Sequence, residues 1–143
     1  MFRKVSDQVF VSPQLSLADI AEAAALGVDL IINNRPEDES DDQVAGAEIE
    51  AAARAAGMDY IAIPVTHAGF SEWQMEAMAK ALTEAPGPVL AYCRSGTRST
   101  LLWALAEASR GRNPGVLAAQ AAAAGYDLAP IAAMLDVLAV RAR

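Results

Sequence analysis

Seven consecutive residues, Cys93-Arg94-Ser95-Gly96-Thr97-Arg98-Ser99, hold the chain's only cysteine, two arginines and a glycine. A thiol that close to two guanidinium groups suits nucleophilic attack on an anion. The apolar run Val89-Leu90-Ala91-Tyr92 precedes the segment and Leu101-Leu102-Trp103-Ala104-Leu105 follows it, which reads as strand, tight loop and helix. In that geometry the N–H groups of the loop and first helical turn converge at the positive end of the helix dipole and form an anion cradle. A thiol placed there is expected to give up its proton readily and act as a nucleophile. Cys93 is therefore the expected nucleophile, and Arg94, Ser95, Gly96, Thr97 and Ser99 the expected anion-binding loop beside Arg98. Arg94 offers its N–H, its side chain pointing outward. Gly96 permits close backbone approach. Ser99 either donates to the thiolate, the favoured reading, or caps its helix.

The elements that must carry this loop alternate along the chain. Val9-Phe10-Val11 is a strand. Ser16 caps a helix with Asp19 in its first turn, and Gly27 ends it. Val28–Ile32 is a strand, followed by a polar loop from Asn33 to Asp42 and a helix from about Val44 to Ala56. Tyr60–Ile63 is a strand. Ser71-Glu72-Trp73-Gln74 has capping-box spacing and opens a helix to Glu84. Asn113-Pro114 starts another, which Gly125 ends, and Ile131, Met134, Leu135 and Leu138 fall at helical spacing. The alternation predicts an α/β fold: a small central, mostly parallel sheet flanked by helices, one domain over residues 1–143 with C-terminal helices over 114–143. Ligands of such sheets sit beyond the carboxyl ends of the strands, where the loops after Asn33, Pro64 and Cys93 meet.

Composition narrows the partners. A net charge of −7 argues against nucleic acid, and Arg110, Arg112, Arg141 and Arg143 read as helix-end cations. One cysteine allows neither an internal disulfide nor a resolving cysteine in the same chain. No secretory leader or membrane span is visible, so the expectation is a cytoplasmic protein without a membrane partner. The acidic run from Glu37 to Asp42 reads as a solvated, mobile loop. No metal-ligand spacing and no cofactor motif is present. Trp73 and Trp103 read as core or rim packing, and the C-terminal helices either pack on the sheet, the favoured reading, or form an oligomer interface.

Three separated segments carry a family resemblance: Asn33-Asn34-Arg35-Pro36, Ile63-Pro64-Val65-Thr66, and Pro88 through Ser99, with Gln14-Leu15-Ser16 also fitting. Over residues 8 to 110 the chain resembles the phosphatase-like domain of β-lactamase-hydrolase-like proteins. The resemblance implies the cysteine-phosphatase-like architecture of dual-specificity phosphatases. It also implies a pocket rim of Asn34, Arg35, Thr66 and His67. The spacing Cys93 to Arg98 is Cys-x4-Arg, one residue shorter than the Cys-x5-Arg of those phosphatases and similar to the loop of single-domain rhodaneses. In either pattern Arg98 binds the anion at two points and joins Cys93 in catalysis.

The loop after Pro64 has no aspartate where phosphatases of this fold keep their acid; His67, the only histidine, is its one proton carrier. Ester cleavage needs a proton for the leaving oxygen, whereas a sulfite or thiol leaves as a stable anion. The sequence therefore favours sulfur transfer through a Cys93 persulfide. A phosphatase-like hydrolase forming a cysteinyl-phosphate is the alternative, and a non-catalytic anion-binding module the second. The expected substrate is a small anion or sulfane-sulfur compound, and the expected partners are a second copy of the chain or a persulfide-metabolising enzyme.

Overall fold

The computed structural model describes residues 2–143. Strands β2 (Val9–Ser12), β5 (Val89–Tyr92), β3 (Leu30–Asn33) and β4 (Asp59–Ala62) lie side by side in that order, all parallel. A two-residue strand, β1 (Arg3–Lys4), adds antiparallel to the outer edge of β2. Period-two alternation sorts the side chains of the sheet. Val9, Val11, Ile32, Val89 and Ala91 face one layer of helices; Ile31, Leu90 and Tyr92 face the other. The second layer is α1 (Leu17–Ala25) and α2 (Gly46–Ala55). The first layer is α3 (Glu72–Glu84) and α4 (Thr97–Ser109), with α5 (Pro114–Ala123) and α6 (Ala132–Arg141) packed outside α4.

The α4 helix is the axis of the molecule. Every residue from Ser99 to Ala108 is buried, Trp103 included. A helix apolar on all sides must be covered on all sides, and the sheet, α3, α5 and α6 do that. The C-terminal helices thus pack on α4 rather than on the sheet. Glu107, nearly buried, is neutralised by Arg110 Nη1 at 2.6 Å and Arg112 Nε at 3.4 Å, so these arginines are more than helix-end cations. Trp73, by contrast, is exposed on α3.

Local signals act as expected at several helix ends. Asp19 N–H donates to Ser16 Oγ and Ser16 N–H to Asp19 Oδ2, closing a capping box. Asn113 Oδ1 accepts from Gly115 and Val116 N–H at the start of α5. The acidic loop departs from expectation. Glu37 Oε1 accepts from Gly46 N–H at 2.8 Å and caps α2 from a distance, because Ala45 has no side-chain acceptor to offer. This segment is built into the fold, not solvated throughout.

Candidate active site

The loop between β5 and α4 forms as the sequence predicts. Gly96 takes φ +90°, a left-handed conformation natural to glycine, and becomes the N-cap of α4. Its N–H donates to Cys93 Sγ at 3.1 Å. Its carbonyl accepts from Thr100 N–H at 3.0 Å and Thr100 Oγ1 at 2.8 Å, which fixes the loop to the helix. Cys93 is fully buried at the base. Above it opens a cleft of about 500 Å³ lined by Glu39, His67, Arg94, Ser95, Thr97 and Arg98. A larger groove of about 580 Å³ between α5 and α6 has no cysteine, histidine or cationic side chain on its walls, whereas the smaller cleft has His67, Arg94 and Arg98 on its own.

Arg98 is held along one edge of its guanidinium. Nη1 donates to Glu39 Oε2 at 2.7 Å and to Val65 O at 2.8 Å, and Nη2 donates to Glu39 Oε1 at 2.9 Å. A guanidinium has five N–H donors. Nε–H and the second Nη2–H make no hydrogen bond to oxygen among the described residues, and these two donors form a side-on fork with the Cys93 thiol as neighbour. The Glu39 hydrogen bond, and to a lesser degree the neighbouring Cys93, hold Arg98 above its ordinary pKa against the effect of burial. Glu39 in turn accepts from Arg35 Nε at 2.9 Å. The Arg98 hydrogen bond, helped by Arg35 and opposed by burial, lowers the Glu39 carboxyl to about 2.

Several expected site residues occupy other positions. Asn34 and Arg35 are buried behind the cleft rather than on its rim. Arg35 spends its donors on Glu39, on Gln14 Oε1 at 2.9 Å and on Ser40 Oγ at 3.0 Å, a set that places the guanidinium inside the fold. Ser99 does not serve the thiolate: its hydroxyl donates to Asn34 Oδ1 at 2.8 Å, because Asn34 lies directly beside the first turn of α4 with its amide turned to Ile63 O. Thr66 is exposed and its Oγ1 accepts from Ala68 N–H, making a turn that leaves His67 at the cleft. Arg94 also lines the cleft.

Sequence reasoning missed Glu39, which stands in the acidic run but alone contacts both arginines. The only available signal was its i,i+4 spacing from Arg35. Among the described residues no three His, Cys, Asp or Glu side chains gather as a metal site.

A parallel sheet, a cysteine loop at the carboxyl end of its central strand, a buried helix behind that loop and an arginine beside the cysteine define a protein of the cysteine-phosphatase-like fold. The chain belongs to the family described as Beta-lactamase hydrolase-like protein, phosphatase-like domain, which residues 1–110 match. It is 38% identical over 109 residues to the Beta-lactamase hydrolase-like protein of Agrobacterium fabrum and 34% over 108 residues to that of Xylella fastidiosa. The match takes in 76% of this chain in each case, and the chain spans only about a quarter (25%) of the length of these relatives. Among solved structures, a candidate phosphatase of Neisseria meningitidis superposes with a TM-score of 0.84 at 35% identity, covering 95% of this chain and 96% of that one. PTPMT1, at 13% identity, shares the fold with a TM-score of 0.75 over 99% of this chain and 98% of its own.

Proposed function

We propose that this chain is a phosphatase-like hydrolase of small phosphate monoesters that works through a cysteinyl-phosphate on Cys93. The observation that carries the reading is an Arg98 fork with no oxygen partner among the described residues, beside a cysteine whose sulfur already accepts a loop N–H. That pair offers two-point binding to a phosphoryl group next to the attacking atom. Membership of a phosphatase-like family and the likeness to the Neisseria candidate phosphatase support it and weigh against the sulfur-transfer preference drawn from sequence.

In the first step the Cys93 thiolate attacks phosphorus: the S–P bond forms, the P–O ester bond breaks, and the leaving oxygen takes a proton. In the second, water attacks phosphorus, the S–P bond breaks, and phosphate and thiolate are regenerated. Glu39 holds Arg98 and cannot supply the proton, because a carboxyl lowered to about 2 is ionised at neutral pH. His67 is the proton carrier on the cleft wall. Hydrolysis of p-nitrophenyl phosphate by the parent and its loss in Cys93→Ser tests the reading; equal turnover in the two would refute it.

Sulfur transfer stays as a second reading on two specific observations. Residues 63–71, the loop over the cleft, bear no carboxylate, and the loop below is of Cys-x4-Arg length. Formation of a persulfide on Cys93 from thiosulfate, without ester hydrolysis, would select it.

A further inference from the structure

One peptide group of the cysteine loop is held from both ends. The Ser95–Gly96 peptide sends its N–H inward to Cys93 Sγ at 3.1 Å, and its carbonyl accepts from Tyr126 Oη at 3.2 Å. In a trans peptide the N–H and C=O point in opposite directions, so a partner that fixes the carbonyl also aims the N–H. This peptide needs such a partner, since Gly96 has the backbone freedom to turn it.

Tyr126 is delivered by the end of α5. Gly125 takes φ +94°, its N–H donates to Ala122 O at 3.0 Å, and Tyr126 N–H donates to Ala121 O at 2.9 Å, which is a Schellman closure. Arg3 Nη1, reaching from β1, donates to Ala124 O at 3.1 Å and ties that closure to the sheet edge. The Tyr126 ring then lies against Gly96 so closely that a Cβ there would strike its hydroxyl. Tyr126 stands beyond the family-matched residues 1–110.

We propose that Tyr126 is a positioning residue for the nucleophile, its hydroxyl locking the Ser95–Gly96 peptide with the N–H directed at the Cys93 sulfur. A hydrogen bond made to the charged form of an acid favours that form, and a donor on the carbonyl polarises the peptide and strengthens its N–H. Burial raises the pKa of Tyr126, which keeps the hydroxyl protonated and donating at neutral pH. The inference rests on Cys93 as the nucleophile and holds for phosphoryl or sulfur transfer alike.

Tyr126→Phe keeps the ring against Gly96 and removes only the hydroxyl. Arg94, Arg98, Glu39 and His67, the other ionisable groups around the cleft, are untouched. Ultraviolet thiolate absorbance is followed against pH, with Cys93→Ser as the blank for the parent and the Cys93→Ser, Tyr126→Phe double variant as the blank for Y126F, so that tyrosinate absorbance cancels and the difference reports the single cysteine. The thiolate should appear at higher pH in Y126F, by about half a unit. Labelling by iodoacetamide at a pH below the parent's thiolate midpoint should slow about threefold, with the thermal midpoint nearly unchanged. A tyrosine of merely structural importance would lower the midpoint and leave the thiolate titration where it is, and that result would overturn the proposal. Neither readout needs a substrate, so the outcome is independent of whether the chain hydrolyses phosphate esters.

Discussion

Two loops overhang Cys93, and they treat their ionisable groups in opposite ways. The loop after β3 holds five carboxylates between Glu37 and Asp42, yet the two best placed are spent on structure. Glu37 caps α2 and Glu39 clamps Arg98 and Arg35. The loop after β4 holds one ionisable side chain, His67, exposed at the cleft wall and free of hydrogen bonds among the described residues. Its first residues are tied down, Val65 N–H to Asn34 O at 2.9 Å and Gln74 Nε2 to Pro64 O at 2.8 Å, whereas around His67 the backbone bonds are those of the Thr66 turn, Ala68 N–H to Thr66 Oγ1 at 3.2 Å and Gly69 N–H to Thr66 O at 3.3 Å. Proximity of an acid to a nucleophile therefore says little about proton transfer. A carboxylate paired with two guanidinium groups orients; an unpaired imidazole can exchange a proton.

The largest test of that contrast is His67→Ala. Turnover of alkyl phosphates, whose leaving oxygen needs a proton, should fall about 10²-fold, while p-nitrophenyl phosphate should be affected far less. Equal losses on both would show that the histidine does not act as the acid. Arg98→Lys comes next. Lysine keeps the charge but cannot hold Glu39 and Val65 O on one edge and a phosphoryl group on the other, so kcat/KM should drop more than about tenfold with the fold retained. Glu39→Gln leaves Arg35 and Arg98 without their shared anion. It should cost about 1–3 kcal/mol in denaturant unfolding, because Arg35 is almost wholly buried. An unchanged unfolding midpoint would mean that the clamp contributes nothing.

The smallest effect is in acid. The Glu39 carboxyl is depressed from its ordinary 4.5 to about 2 in the folded chain. Its contribution to stability is complete above about 4.5 and is lost as pH falls through about 2. The parent should thus lose stability over that window, and E39Q should lose less. Parallel curves for the two would assign the acid sensitivity elsewhere.

Much of the fold was legible because its signals are local. The Ser16–Asp19 box, the Asn113-Pro114 start and the stops at Gly27 and Gly125 each require only a few neighbouring residues. The cysteine loop was legible for the same reason. β1 was not, since two residues carry no periodicity and Arg3–Lys4 is a strand only because β2 offers it an edge. Glu39 was hidden among similar acids, and its role depends on Arg98, 59 residues away. Ser99 turned from the sulfur to Asn34 for a comparable reason, the meeting of two strand ends. Long-range pairings of this kind come from the sheet order, which no short motif encodes.

Cys93 is the proposed carrier of the transferred phosphoryl group. Intact mass after rapid acid quench with a phosphate monoester reads it directly. An adduct of about 80 Da is expected on the parent, none on Cys93→Ser, and a larger adduct fraction when water attack is slowed. Ester hydrolysis at full rate with no adduct on Cys93, or a stable adduct of about 32 Da formed from thiosulfate in a chain that leaves esters intact, would contradict it.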